Sequence, residues 1–217
     1  MKSKFIYLPV LFLVLSQLNL NAQEKGEKIK PLLGGSASIG YGIMTDNISE
    51  YVNNELLLPI TFDLIYKNFV FQINLDGGYS KIKKSMEFDD GKKWHEGDNA
   101  WHNQAGVNLG YGILNNDKII VSPYVGYSLG LISKKWLGAS DISEHEPSCN
   151  YLNTGIFVDI KKKRSDKGAN KGKYAPYSGI RFTLGAYVHL GDEKDYPQYF
   201  NGSIVYLSVG IPLFKTK

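Results

Sequence analysis

Apolar and polar residues alternate with period two along most of the chain after residue 32, and few folds accept that pattern. Phe69, Phe71, Ile73, Leu75, Gly77 and Tyr79 interleave with Val70, Gln72, Asn74, Asp76, Gly78 and Ser80. Trp101, Asn103, Ala105, Val107, Leu109, Tyr111 and Ile113 interleave in the same way with His102, Gln104, Gly106, Asn108, Gly110 and Gly112. Successive side chains of a strand point to opposite faces, so each segment has one apolar face and one small or polar face. Eight such segments occur, at about 33–44, 55–66, 69–80, 99–114, 118–133, 149–161, 175–191 and 201–214. Helical periodicity is scarce, and no later stretch reaches the run of about 18 apolar residues that marks a spanning helix.

Strands covering more than half of a chain are unusual in an ordinary globular domain. They are expected where one sheet closes on itself, because closure removes the exposed edges that so many strands would otherwise present. The spacing therefore predicts an all-β, eight-stranded antiparallel up-and-down barrel. The connections alternate in length. Residues 45–54, 81–98, 134–148 and 192–200 are long links, whereas Lys67-Asn68 and Asn115-Asn116-Asp117 are tight turns. Short turns on one rim and long loops on the other are the pattern of a transmembrane barrel. The basic link 162–174 breaks the rule and reads as an inserted loop on the short-turn rim.

Alternation alone does not separate a membrane barrel from a soluble, ligand-carrying one. The polar face does. A water-facing exterior would carry many Lys and Glu residues, but this face carries Gly40, Gly42, Gly106, Gly110, Gly112, Gly126, Gly130, Ser122 and Ser128. Small residues suit the crowded interior of a narrow barrel. On the apolar face, Phe69 and Tyr79 bracket one segment and Trp101 and Tyr111 the next. Ten residues at ~3.3 Å each and a ~45° tilt rise about 23 Å, close to the ~25 Å apolar band between two aromatic girdles.

The first residues give an address. Lys2 and Lys4 precede an apolar run from Phe5 to Leu15, and the small residue Ala22 follows a polar stretch. That is the layout of a secretory signal peptide, and the run is too short to span a bilayer. The expected organisation is a signal peptide over 1–22, a short periplasmic segment over 23–32 and a barrel over 33–214. The chain of 217 residues holds one cysteine, Cys149, which excludes a disulfide framework or a Cys-rich zinc site. Its net charge of +4 is too mild to indicate a nucleic-acid partner.

With the signal, the eight alternating segments and the final stretch from Gly202 to Phe214, the chain resembles the small outer-membrane β-barrel family that includes the OmpX-like and OmpA-transmembrane-domain-like proteins. The resemblance covers about residues 30–217. It implies location in the outer membrane of a diderm bacterium and contact with outer-membrane lipid and lipopolysaccharide. It also implies a monomer, and recognition by the barrel-assembly machinery through a last strand ending at Phe214. It names an architecture and no activity.

The candidate chemistry is sparse. Asp63, Asp76, Asp159, Arg181 and His189 fall on the interior face, where a charge needs a partner; Asp63 and Arg181 are placed to meet across the lumen. They read as an ion cluster plugging the barrel or, more boldly, as a gate or substrate path. With Tyr124, Phe157, Arg181 and Tyr187 inside, no general diffusion pore is expected. The long-loop rim carries Trp94, Trp136, Tyr196 and Tyr199, read as recognition aromatics among charges or as a collapsed cluster. Loop 81–98 concentrates lysines and acids and reads as a ligand or partner surface, with lysines suited to lipopolysaccharide phosphates, or as a solvated charged loop. His95-Glu96 with Asp98, and Glu144-His145-Glu146, lack a recognised ligand spacing, so no metal or cofactor is expected. For an enzyme acting on outer-leaflet lipid, His102 with Ser80 is the best pair, but no Gly-x-Ser-x-Gly elbow accompanies it. No catalytic residue is therefore assigned, and the expected role is structural, adhesive or accessory, through the long loops.

Overall fold

The structure, a computed structural model, describes residues 29–88, 91–134, 147–163, 175–191 and 197–216. The expected signal peptide and most of the basic link 162–174 lie outside them.

Eight long strands form the wall: β1 (Leu32–Met44), β2 (Glu55–Tyr66), β3 (Phe69–Lys81), β6 (Asn99–Tyr111), β8 (Ile119–Ser133), β9 (Ser148–Lys163), β10 (Tyr177–His189) and β11 (Ile204–Thr216). Three two-residue strands lie between them: β4 (Met86–Glu87), β5 (Lys93–Trp94) and β7 (Leu114–Asn115). Two single-turn helices, α1 (Ile48–Tyr51) and α2 (Pro197–Phe200), sit in the long links. Every wall strand pairs antiparallel with its sequence neighbour. The first and last also pair, from Leu32↔Thr216 to Met44↔Ile204, and this closes the sheet. The fold is an eight-stranded up-and-down barrel, with no edge left to pair with another chain.

The alternation maps onto the wall. In β2, Leu57, Asp63 and Ile65 point inward, and Leu56, Leu58, Ile60, Phe62 and Leu64 point outward. In β11, Tyr206, Ser208 and Phe214 point inward, and Leu207, Val209, Ile211 and Leu213 outward. A typical wall strand of 13 residues, at ~3.3 Å per residue and ~45° tilt, rises about 30 Å, enough to cross the hydrocarbon of a bilayer. The outward aromatics pair across strands. Phe69 meets Tyr111 edge-on at 5.2 Å near one rim, and Tyr79 meets Trp101 at 4.7 Å near the other.

The two rims differ. One holds both strand termini and the tight turns. At Lys67-Asn68 the backbone of Lys67 takes a left-handed φ of 56°, which lets two residues join β2 to β3. At 115–118, the Asn116 side-chain oxygen accepts from the Lys118 and Ile119 amides, both at 2.9 Å. The other rim carries α1, the β4–β5 hairpin and α2.

Several expected boundaries move. The segment 99–114 is not one strand. β6 ends at Tyr111, and Leu114-Asn115 pairs separately with Val121 and Ile120, because the Gly112 amide turns aside to the Asn68 carbonyl at 2.7 Å. β9 runs to Lys163, two residues past the expected 161. The last strand does not end at Phe214: Lys215 and Thr216 continue the ladder opposite Leu33 and Leu32. Phe214 itself faces the lumen, stacked on Tyr177 at 4.7 Å.

Candidate functional site: the closed lumen and its cap

The inward face of the barrel is filled in three tiers. At the turn rim, Leu32, Ile65, Val70, Ile120, Tyr177 and Phe214 form an apolar floor. Phe157 belongs to the same cluster, and the Arg181 guanidinium carbon lies 4.2 Å above its ring.

Arg181 opens the polar middle tier. It is fully buried and binds two carboxylates. Its Nε donates to Asp159 Oδ1 at 2.6 Å and its Nη2 to Asp159 Oδ2 at 2.9 Å. Its Nη1 donates to Asp63 Oδ2 at 2.6 Å. Tyr177 donates to Asp159 at 2.7 Å and Gln72 to Asp63 at 3.0 Å. Charges taken out of water are tolerated only when paired and hydrogen-bonded, and this set is both. Asp76 is not a member of it. Its Oδ2 accepts from Tyr187 at 2.7 Å and from Asn74 at 2.9 Å, higher in the lumen. Around them, Tyr124 and Tyr206 hydroxyls meet at 2.6 Å, braced across the lumen. Gln104, Ser128, Asn153 and Asn108 form a hydrogen-bonded chain.

Glu55, a residue that the sequence reading passed over, occupies the top of the lumen. It begins β2 and is entirely buried, with its Oε1 3.5 Å from His102 Nδ1. A Cβ on Gly78 would stand 2.3 Å from its Oε2, so the small residue opposite makes room for the carboxylate. The only hint in the sequence was an acid on the inward parity of the strand.

A cap closes the loop rim above these groups. Ile48 of α1, Phe200 of α2 and Phe88 and Trp94 of the β4–β5 hairpin pack into one buried cluster with Ile82, Met86 and Ile204. Phe88 and Trp94 lie 5.4 Å apart, Trp94 and Phe200 5.9 Å, and Tyr51 and Tyr199 5.0 Å. Tyr199 also donates to the Glu87 carbonyl at 2.7 Å. Lys134 straps the assembly down. It donates to the Lys93 carbonyl at 3.0 Å, pairs with Asp98 at 2.6 Å and lies over the Trp94 ring. Lys134 holds the partly exposed Asp98 carboxyl below the ordinary carboxylate range, chiefly through that hydrogen bond.

Of the loop aromatics, Trp94 and Tyr199 do not form an exposed row. Trp94 is only 6 % exposed and works as part of the cap, because burying its ring against Phe88 and Phe200 removes more apolar surface than display would. Tyr199 is half-buried beside it. Trp136 and Tyr196 lie outside the described residues. Loop 81–98 is a folded hairpin whose lysines, among them Lys83, Lys84, Lys92 and Lys93, remain on the outer surface.

Ser80 and His102 are not assembled as a hydrolytic pair. Ser80 Oγ donates to the Asn53 carbonyl at 2.5 Å, while His102 faces Glu55. Both point into the lumen under the cap, away from the outer face of the wall. Among the described residues no group of three or more His, Cys, Asp or Glu side chains is placed to hold a metal ion.

No protein-family model matches the chain, and no curated protein matches it. Among solved structures, Neisserial surface protein A (NspA) is similar over 84 % of this chain and 96 % of that one, at 10 % sequence identity and a TM-score of 0.44.

Proposed function

We propose that this protein is a non-conducting outer-membrane barrel that acts through its capped rim, as an envelope anchor and a binding platform for an external partner. The observation that carries the reading is the filling of the lumen by the described residues: an apolar floor, the Arg181 ion cluster and an aromatic cap follow one another from rim to rim. The outward belt of Leu, Ile, Val and Phe, exposed on every wall strand, supports a lipid surround. In that setting residues 1–22 are the export signal, removed on secretion, and residues 23–32 lead into the barrel on the periplasmic side. The capped rim faces outward, because both barrel termini lie on the turn rim. Surface lysines on the cap hairpin suit the phosphates of lipopolysaccharide. Assembly proceeds by recognition of the last strand, β11, and the barrel acts as a monomer; its closed sheet offers no free edge for strand pairing with a second copy.

The test is conductance together with fractionation. Protein refolded into planar bilayers is expected to show no stable open steps, and the native protein is expected in the detergent-extracted outer-membrane fraction. Large regular steps, or recovery in the soluble periplasm, would overturn the proposal.

A further inference from the structure

The two rims carry their charge differently. On the cap rim lysines meet carboxylates: Lys93 pairs with Glu87 at 3.1 Å and Lys134 with Asp98 at 2.6 Å. On the turn rim Lys67, Lys118, Lys162 and Lys215 are all exposed, and among the described residues Asp117 is the one exposed carboxylate beside them. Asp63 and Asp159 lie inside the lumen on Arg181. Lys161, on the same rim, commits its ammonium to the chain: it donates to Asn115 Oδ1 at 2.7 Å and to the Asn116 carbonyl at 2.9 Å.

The direction of the exposed lysines decides what they can meet. Lys162 follows Ile160, and Lys215 follows Leu213, on the outward parity of their strands. Both side chains therefore continue the apolar belt on the outside of the wall and do not point along the barrel axis. Lys67 sits in the turn between Tyr66 and Phe69, outward aromatics of this rim, with its Nζ 5.8 Å from the centre of the Tyr66 ring. Lysines and aromatics at the edge of an apolar belt stand at headgroup depth, where the stem covers apolar surface and the ammonium reaches phosphate. On the membrane reading above, we propose that the turn rim is a lysine collar that binds the anionic phospholipid headgroups of the leaflet it faces. Its ligand is a phosphodiester monoanion on a lipid; an outward direction does not suit a soluble polyanion approaching the end of the barrel. The four lysines come from the β2–β3 turn, the turn before β8, β9 and β11, so the collar meets several lipids around the circumference and not one in a pocket.

The experiment places the refolded protein in phosphatidylcholine vesicles and reads the shell of motionally restricted lipid by electron spin resonance, with spin-labelled phosphatidylglycerol and spin-labelled phosphatidylcholine in turn. An exposed ammonium–anion pair shifts an equilibrium by about two- to fivefold. The shell is expected to favour phosphatidylglycerol by a factor of that size at low salt and to lose the preference at high salt. Lys67→Gln/Lys118→Gln/Lys162→Gln/Lys215→Gln is expected to lower the ratio more than Lys83→Gln/Lys84→Gln/Lys92→Gln/Lys93→Gln on the cap. If the first variant loses the heat-modifiable gel shift of a folded barrel, Lys162→Gln/Lys215→Gln takes its place. A lipid shell with no preference for phosphatidylglycerol would overturn the collar alone, and retention of the micellar protein on dextran sulfate would then assign these lysines to a soluble polyanion. A ratio lowered only by the cap variant would overturn it as well. A protein that gathers no lipid shell would overturn the membrane reading and the collar with it.

Discussion

Arg181 Nη1 and Asp63 Oδ2 stand 2.6 Å apart although 118 residues and three strand steps around the wall separate them. The contact pins β10 to β2 through the lumen, and Asp159, directly opposite Arg181 in the β9–β10 register, completes the cluster. Replacing Arg181 by Met leaves two carboxylates buried without their cation. Breaking one side of a buried pair costs about 3–5 kcal/mol. A loss of that size is expected in urea unfolding from micelles, and adding Asp63→Asn and Asp159→Asn to the same chain is expected to recover part of it.

Ile211 lies near the middle of β11, points outward and is 63 % exposed. If lipid surrounds the barrel, Ile211→Arg costs about 2–4 kcal/mol, the midplane value for a transmembrane barrel. The check is unfolding from phospholipid vesicles, alongside Lys215→Arg as a control at the rim, where almost no loss is expected. A soluble barrel would accept Arg at position 211 without penalty.

Trp94 holds the cap together but is not part of the wall. Truncating a buried aromatic removes roughly 3–5 kcal/mol of packing, and here the loss should stay local. Trp94→Ala is expected to leave the heat-modifiable gel shift of the folded barrel in place while protease cuts in 81–98 appear much faster. A barrel that no longer assembles would show that the hairpin belongs to the folding unit.

Asp98 gives the cap a pH response of known sign. Its carboxyl is held below its ordinary range by Lys134, so the folded state favours the charged form. The contribution to cap docking is present above the ordinary carboxylate range and is lost as the pH falls through the depressed folded value. Trp94 emission is expected to report loosening of the cap only at acid pH, with Asp98→Asn loosened already at neutrality. Because the pair is partly solvated, salt should weaken the effect.

The period-two pattern and the position of its tight turns determined the barrel, its strand count and its inside face. The reason is local: in a strand, parity alone sends a side chain in or out, so Phe62 and Asp63 are sorted by adjacency in sequence. The same rule placed Asp63, Asp76, Asp159 and Arg181 in the lumen. Parity does not say which of them touch. That depends on how strands far apart in sequence are staggered across a closed wall, and only the tertiary structure brought Arg181 between Asp63 and Asp159 and left Asp76 with Tyr187. The loops show the opposite balance. Residues 81–98 carry no periodicity to read, and their charges suggested a solvated surface. Their few apolar side chains, Ile82, Met86, Phe88 and Trp94, decided the outcome, because the surface they bury against comes from α1, α2 and the upper ends of wall strands that are distant in sequence.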